Sequence, residues 1–227
     1  YGVDKDDVLF YELKGGWLVD DGDEEIGDVL IQNMENFLDN NDLSIYNNYQ
    51  TFINTYIDEN SFIDLFLTEL FASNWDFVGN MNNLKMWRTS KVDSSKEYYD
   101  GKWRFCIHDV DFAFTEGSNY LDKNASNSYT NFKMFNSLLM QEEFRTKFYN
   151  RAIYLANNNF SINYASKVLA KMVDEVMPYK LDSMIRWGKD ESSFDEWLNE
   201  VDKTYKFFED KNRAFVATIK DSLEQYE

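Results

Sequence analysis

The sequence predicts an α+β fold that is mostly α-helical, and three observations predict it. The 227 residues include one proline, Pro178, and only nine glycines, too few breakers for a loop-rich β fold. Apolar residues recur at helical spacing over most of the chain. Two short β-rich pairs interrupt that pattern, and the second of them carries acidic residues. A hydrophobic content of 44%, with 18% aromatics, excludes a wholly disordered chain.

The elements follow in order. Residues 8–20 (VLFYELKGGWLVD) are β-rich around Gly15-Gly16 and read as a hairpin, with Lys14 beside the turn read as an exposed hairpin lysine before a phosphate ligand. The acidic stretch 20–25 leads into a helix with Ile26, Leu30, Met34, Phe37 and Leu38 at helical spacing. A second helix is expected over 43–57 and a third over 61–73. In the third, Phe62, Ile63, Phe66, Leu67, Leu70 and Phe71 form the apolar face and leave Asp64 and Thr68 outside. Asn60 or Ser61 would be its N-cap. Residues 84–89 and 102–110 read as an antiparallel pair, with Asp100-Gly101 before the second run. Residues 115–130 are polar and read as a loop. Helices are then expected over 132–139, 142–157, 162–177 and 179–187, with two more starting near Ser193 and Lys203. There is no internal repeat and no linker, so residues 1–227 read as a single domain.

Charge and cysteine usage narrow the classes. A net charge of −18 repels nucleic acid and anionic membranes and attracts cations or basic partners. It equally suits a solvated acidic surface. No apolar run reaches the roughly 18 residues of a membrane-crossing helix. The chain starts at Tyr1 without a signal-peptide pattern, which says nothing about its compartment. A single cysteine, Cys106, excludes an internal disulfide and reads as a small core residue. If the surrounding run were a strand, Cys106 and His108 would share a face. Apolar neighbours would nevertheless raise the thiol pKa and keep it unreactive.

Two acid-bearing stretches carry the candidate chemistry. Asp76 follows the third helix and is itself followed by Asn80, Asn82 and Asn83. Such a carboxylate can take a proton from a substrate hydroxyl while an amide oxygen holds a metal. An Asx-rich turn between helix and strand fits the same residues. In the second stretch Asp109 and Asp111 sit among Phe105, Ile107, Val110, Phe112 and Phe114, where an unpaired carboxylate would be costly. On a regular strand the two would point the same way and form a two-pronged ligand for Mg²⁺. A salt-bridged pair with Arg88 or Arg104 is the structural alternative. Metal-dependent glycosyltransferases also use an Asp-x-Asp pair, so the motif alone leaves the chemistry open. Trp75, Trp87 and Trp103 read as core before sugar platform. The chain has no Walker A loop, zinc-ligand spacing or nucleophile elbow.

Taken together, these stretches resemble the CotH kinase family, related to secreted protein kinases. The likeness runs from Gly15-Gly16-Trp17-Leu18 through Ile57-Asp58-Glu59-Asn60-Ser61-Phe62-Ile63-Asp64 to Asn74-Trp75-Asp76. It continues through Asn82-Asn83-Leu84-Lys85-Met86-Trp87-Arg88, Gly101-Lys102-Trp103 and His108-Asp109-Val110-Asp111-Phe112 to Phe144-Arg145, Arg151, Trp197 and Arg213. The resemblance implies an atypical kinase-like C-lobe whose small β-hairpins carry the acidic site. It implies Asp76 as the catalytic aspartate, Asn82 or Asn83 as the amide near the metal, and Asp109 and Asp111 as the Mg²⁺ ligands, with Asp111 preferred. ATP is then the cofactor, and the substrate a Ser/Thr-bearing basic segment of a secreted or bacterial cell-surface protein. The family pattern has Trp where this chain has His108, and a glycine soon after the final Phe, whereas here Phe114 is followed by Thr115-Glu116 and the glycine comes only at Gly117. The comparison also implies that most of the N-terminal nucleotide-gripping lobe is missing. That gives the alternative its force: a non-catalytic binding module of the pseudokinase kind.

Overall fold

The computed structural model describes residues 2–114, 119–188 and 192–226, and 61% of the chain is helical. The Thr115-Glu116-Gly117 stretch, with its displaced glycine and the start of the expected loop, lies outside the described residues. The chain comprises two compact units, Tyr1–Arg151 with Lys220–Glu227, and Ala152–Ile219.

The first unit is built on a four-stranded antiparallel sheet of order β2-β1-β3-β4. Strands β1 (Val8–Leu13) and β2 (Trp17–Asp21) form the expected hairpin, with Gly15 in the left-handed conformation the turn requires. Leu9, Tyr11 and Leu13 point inward, the period-2 alternation of a half-buried strand. β3 (Leu84–Thr89) pairs with β1 along its whole length, and β4 (Arg104–Cys106) pairs with β3. The second run is therefore shorter than the expected 102–110, because the chain leaves the sheet after Cys106.

Helices α1 (Glu24–Asn40), α2 (Tyr46–Thr55) and α3 (Glu59–Ala72) cover the sheet's sequence neighbourhood as expected, with differences in detail. Ile26 proves 44% exposed; Ile31, Met34 and Leu38 carry the buried stripe of α1. Gly27 is needed because a Cβ there would overlap the Tyr11 ring and hydroxyl. That hydroxyl donates to Asp28 Oδ1 (2.9 Å) and to the Glu24 carbonyl (3.1 Å), fixing α1 to β1. The N-cap of α3 is Asp58, whose carboxylate accepts from the Ser61 amide at 2.8 Å, and neither Asn60 nor Ser61. A carboxylate at the positive end of a helix outcompetes a hydroxyl one turn inside it.

An aromatic core surrounds α3. Phe62 stacks on Phe66 (4.4 Å between ring centroids), and Phe66 meets Phe135 of α4 (Lys133–Leu139) at 4.3 Å and Phe77 at 5.2 Å. Phe148, on α5 (Glu142–Asn157), closes against Phe135 at 5.6 Å. Arg151 of α5 grips Asp64 with two parallel bonds of 2.6 and 2.8 Å, which explains why Asp64 stays outside the apolar face.

The second unit holds the end of α5, then α6 (Ile162–Arg186) and most of α7 (Ser192–Leu223). Each is one helix where the sequence reads as two. Pro178 lies inside α6 and does not end it, and the polar residues around Asp202 do not interrupt α7. Asn212 donates from one amide to the carbonyls of Ala156 and Phe160 (2.9 and 3.0 Å), and Phe160 packs edge-on to Phe215. Among the described residues no helix is long and apolar enough to cross a membrane.

Candidate active site

The C-terminus of α3 organises both acid stretches. Ser73 takes the left-handed conformation (φ 52°) although it has a side chain, and its amide bonds back to Glu69 and Leu70. That reversal turns Asn74 inward, where it is fully buried. Asn74 Oδ1 accepts from the Asp76 amide (3.2 Å), while Nδ2 donates to the Asp109 carbonyl (3.1 Å) and to Glu69 Oε2 (3.0 Å). One side chain thus ties the backbone of the first acid stretch to that of the second. The Tyr129 hydroxyl donates to the Asn74 carbonyl at 2.5 Å from the other side. A second tie joins the Phe114 amide to the Ala72 carbonyl at 2.6 Å.

Around Asp76 the expected amides do converge. Asn83 Nδ2 donates to both the Asp76 carbonyl (2.9 Å) and Oδ2 (3.0 Å), and Asn82 Nδ2 reaches Oδ2 at 3.4 Å. Asp76 Oδ1 is left without a hydrogen bond among the described residues. Phe77, buried between Phe66 and Tyr129, prevents this loop from sliding. Gly79 lies so close to the Asn127 carbonyl that a Cβ would overlap it. Asn83 is buried and spent on positioning Asp76. Asn82 is half-exposed, and its Oδ1 makes no hydrogen bond among the described residues, which makes it the better metal amide.

Asp109 and Asp111 are not on a strand. Asp109 is left-handed (φ 50°), and residues 111–112 turn, so strand alternation does not align the two carboxylates. The turn brings them together instead. The neighbouring Asp109 side chain, followed by desolvation and like charge, holds the exposed Asp111 carboxyl above its ordinary pKa. Neither arginine serves as their partner. Arg104 pairs with Asp100 (2.8 Å), and Arg88 donates to the Thr89 carbonyl and stacks over Trp103. His108 faces Glu12 across 3.6 Å, away from any pairing with Cys106. Cys106 is half-buried, and burial pushes its thiol up, as expected of an unreactive cysteine. Trp103 is core; Trp75 is 38% exposed and packs on the 41% exposed Phe112 at 4.7 Å, making an aromatic edge beside the acids.

Among the described residues six other than glycine have positive φ, and five of them (Ser73, Met81, Asn83, Asp109 and Phe114) lie in or next to these two stretches. Each costs on the order of 1–3 kcal/mol, for Met and Phe without the local hydrogen bonding that eases Asn and Asp. An ordinary Asx turn needs no such cluster, so the strain favours a functional site over a simple connection.

Two neighbouring carboxyls of like charge are a donor set that a hard cation would relieve. Among the described residues no three His, Cys, Asp or Glu side chains converge as a preformed cage. One or two carboxylates plus an amide is nevertheless the sparse set that Mg²⁺ accepts when phosphates complete its shell. The residues therefore fit that ion. Asn74, Glu69 and Tyr129 have roles that sequence reasoning did not assign. Glu69 carried a usable signal, since an acid falls within the buried register of α3, one residue before Leu70.

Truncating Asn74 should register as lost stability. Asn74→Ala leaves a buried Glu69 oxygen and the Asp109 carbonyl unpaired, for an expected loss of about 2 kcal/mol in urea denaturation. A midpoint unchanged from wild type would show that the network contributes nothing.

Residues 19–215 match the model of the family described as CotH kinase protein. That span contains Asp76, Asn82, Asn83, Asp109 and Asp111.

Proposed function

We propose, from the premise that the chain belongs to the CotH kinase family, that it transfers the γ-phosphoryl group of ATP to a Ser/Thr hydroxyl of a secreted or cell-surface protein. The observation that carries this reading is the buried Asn74, which fixes on one side a carboxylate whose Oδ1 makes no hydrogen bond among the described residues, and a carboxyl pair on the other. In this reading Asp76 Oδ1 receives the proton of the substrate hydroxyl as its oxygen attacks the γ-phosphorus and the bond to the β-phosphate bridging oxygen breaks. Asn83 holds Asp76 in place by occupying Oδ2. Asp109, Asp111 and Asn82 would hold Mg²⁺, which, when bound, neutralises charge on the transferring phosphate. The net charge of −18 favours a basic segment around the acceptor hydroxyl.

The test is label transfer from γ-labelled ATP with Mg²⁺ to the chain itself or to a basic Ser/Thr peptide, with nucleotide binding followed by calorimetry. Transfer that requires Mg²⁺ and weakens as salt screens the acidic field is the expected result. Neither transfer nor heat with ATP and Mg²⁺ would instead favour the non-catalytic binding module.

A further inference from the structure

We propose that one face of α6 is a self-association surface, on which two copies of this chain pack antiparallel about a two-fold axis at Met172. Along α6 a stripe of five large apolar side chains stands in solvent: Tyr164 (52% exposed), Val168 (42%), Met172 (57%), Val176 (47%) and Tyr179 (74%). The face that α6 buries is a different one, marked by Leu169, Val173 and Met177, all half-buried, and the buried Met184. The exposed stripe is therefore a second apolar face without a function in the unit's own core. Contiguous exposed apolar stripes of this kind mark association sites.

The order of the stripe identifies its occupant. Read in either direction it runs Tyr, Val, Met, Val, Tyr, with its centre at Met172. A two-fold interface requires a patch to be its own complement. In an antiparallel pair centred on Met172, Val168 meets Val176 of the second copy at the same height, since each lies four residues, about 6 Å, from the axis. Tyr164 and Tyr179 lie about 12 and 10 Å from it on opposite sides, so they meet as well. Successive i, i+4 positions form the ridge that packs into the equivalent groove of another helix.

The charges agree with this arrangement. Lys171 and Glu175 lie on one flank of the stripe and pair within their own helix at 3.7 Å, both largely exposed. Lys before Glu is the weaker order for such an intrahelical pair. The two-fold operation places like flanks together, so Lys171 of each copy comes within about 3 Å of axial height of both Glu175 and Lys171 of the other, two Lys–Glu approaches against one Lys–Lys approach. The remaining charge does not oppose association there. Residues 152–219 hold nine basic and eleven acidic side chains, a net −2, so nearly all of the −18 lies elsewhere in the chain. A single-helix stripe is small beside the roughly 800 Å² per partner of a standard interface, so the dimer is a weak one.

Sedimentation of the full chain in a Cys106→Ser background should show a reversible monomer–dimer equilibrium. Met172→Lys should weaken it at least ~10-fold, about 1.4 kcal/mol. Lys171→Glu should weaken it and the added Glu175→Lys restore it, with circular dichroism confirming intact helices throughout. Under mild oxidation Met172→Cys should cross-link to itself. A mixture of Val168→Cys and Val176→Cys chains should cross-link to each other faster than either does to itself. A monomer at every concentration, self-cross-linking of Val168→Cys as fast as the mixture, or no rescue by the charge swap would each overturn the proposal.

Discussion

Asp76→Asn is expected to cut phosphoryl transfer by roughly 10²–10⁴-fold while leaving ATP and Mg²⁺ binding and the denaturation midpoint near wild type. The substitution keeps an oxygen that can accept from Asn83 and keeps the backbone amide that Asn74 holds, so the loop has no reason to move. It removes only the basicity of Oδ1. Asp111→Asn should behave differently. Its carboxyl lies beside that of Asp109, and removing one charge of the pair should raise the Mg²⁺ concentration needed for transfer before it affects anything else. The two variants thus separate a kcat loss from a metal-affinity loss. Full transfer by Asp76→Asn would remove Asp76 from the chemistry, and an unchanged Mg²⁺ requirement in Asp111→Asn would remove that residue from the metal.

Local patterns made much of this fold legible. The glycine turn defined the β1–β2 hairpin, and the apolar spacing of α3 identified all six of its expected core residues. Pattern failed where tertiary context outweighed it. Pro178 reads as a break, yet α6 continues through it. The run after Phe105 has the alternation of a strand, yet the backbone leaves the sheet and turns left-handed at Asp109.

The site divided in the same way. Residue types left Asp76 and the Asp109/Asp111 pair open, and the family resemblance pointed to Asp76, Asn82, Asn83, Asp109 and Asp111; the structure brings the first three together as one cluster and the last two as another. The part that spacing could not supply is the link between them. Asn74 is 35 residues from Asp109 in sequence, and its hydrogen bond to that carbonyl depends on Ser73 adopting a conformation that no propensity favours. Long-range ties between a side chain and a carbonyl leave no periodic trace in a sequence.

Glu69 carries the largest expected stability effect outside the chemistry. Its side chain is fully buried; Oε2 accepts from Asn74, and Oε1 has no partner among the described residues. Burial, only partly offset by the Asn74 bond, raises its pKa from the ordinary 4.5 to about 7. Below the unfolded-state value both states are protonated, and the group imposes no ionisation cost. Between that value and about 7 the unfolded chain releases the proton while the folded chain retains it, so the folded state binds more protons and stability falls as pH rises. The fall should approach about 3 kcal/mol by neutral pH and then level off. Glu69→Gln keeps the shape and an oxygen for Asn74 but cannot ionise. It should flatten urea-denaturation stability across this window, leaving the variant more stable than wild type above pH 7 and closer to it near pH 4. The same burial is what holds Asn74 rigid between the two acid stretches. A Glu69→Gln chain that retained the wild-type slope would show that Glu69 is already hydrated, and that the junction of the site is less tightly closed than its hydrogen bonds imply.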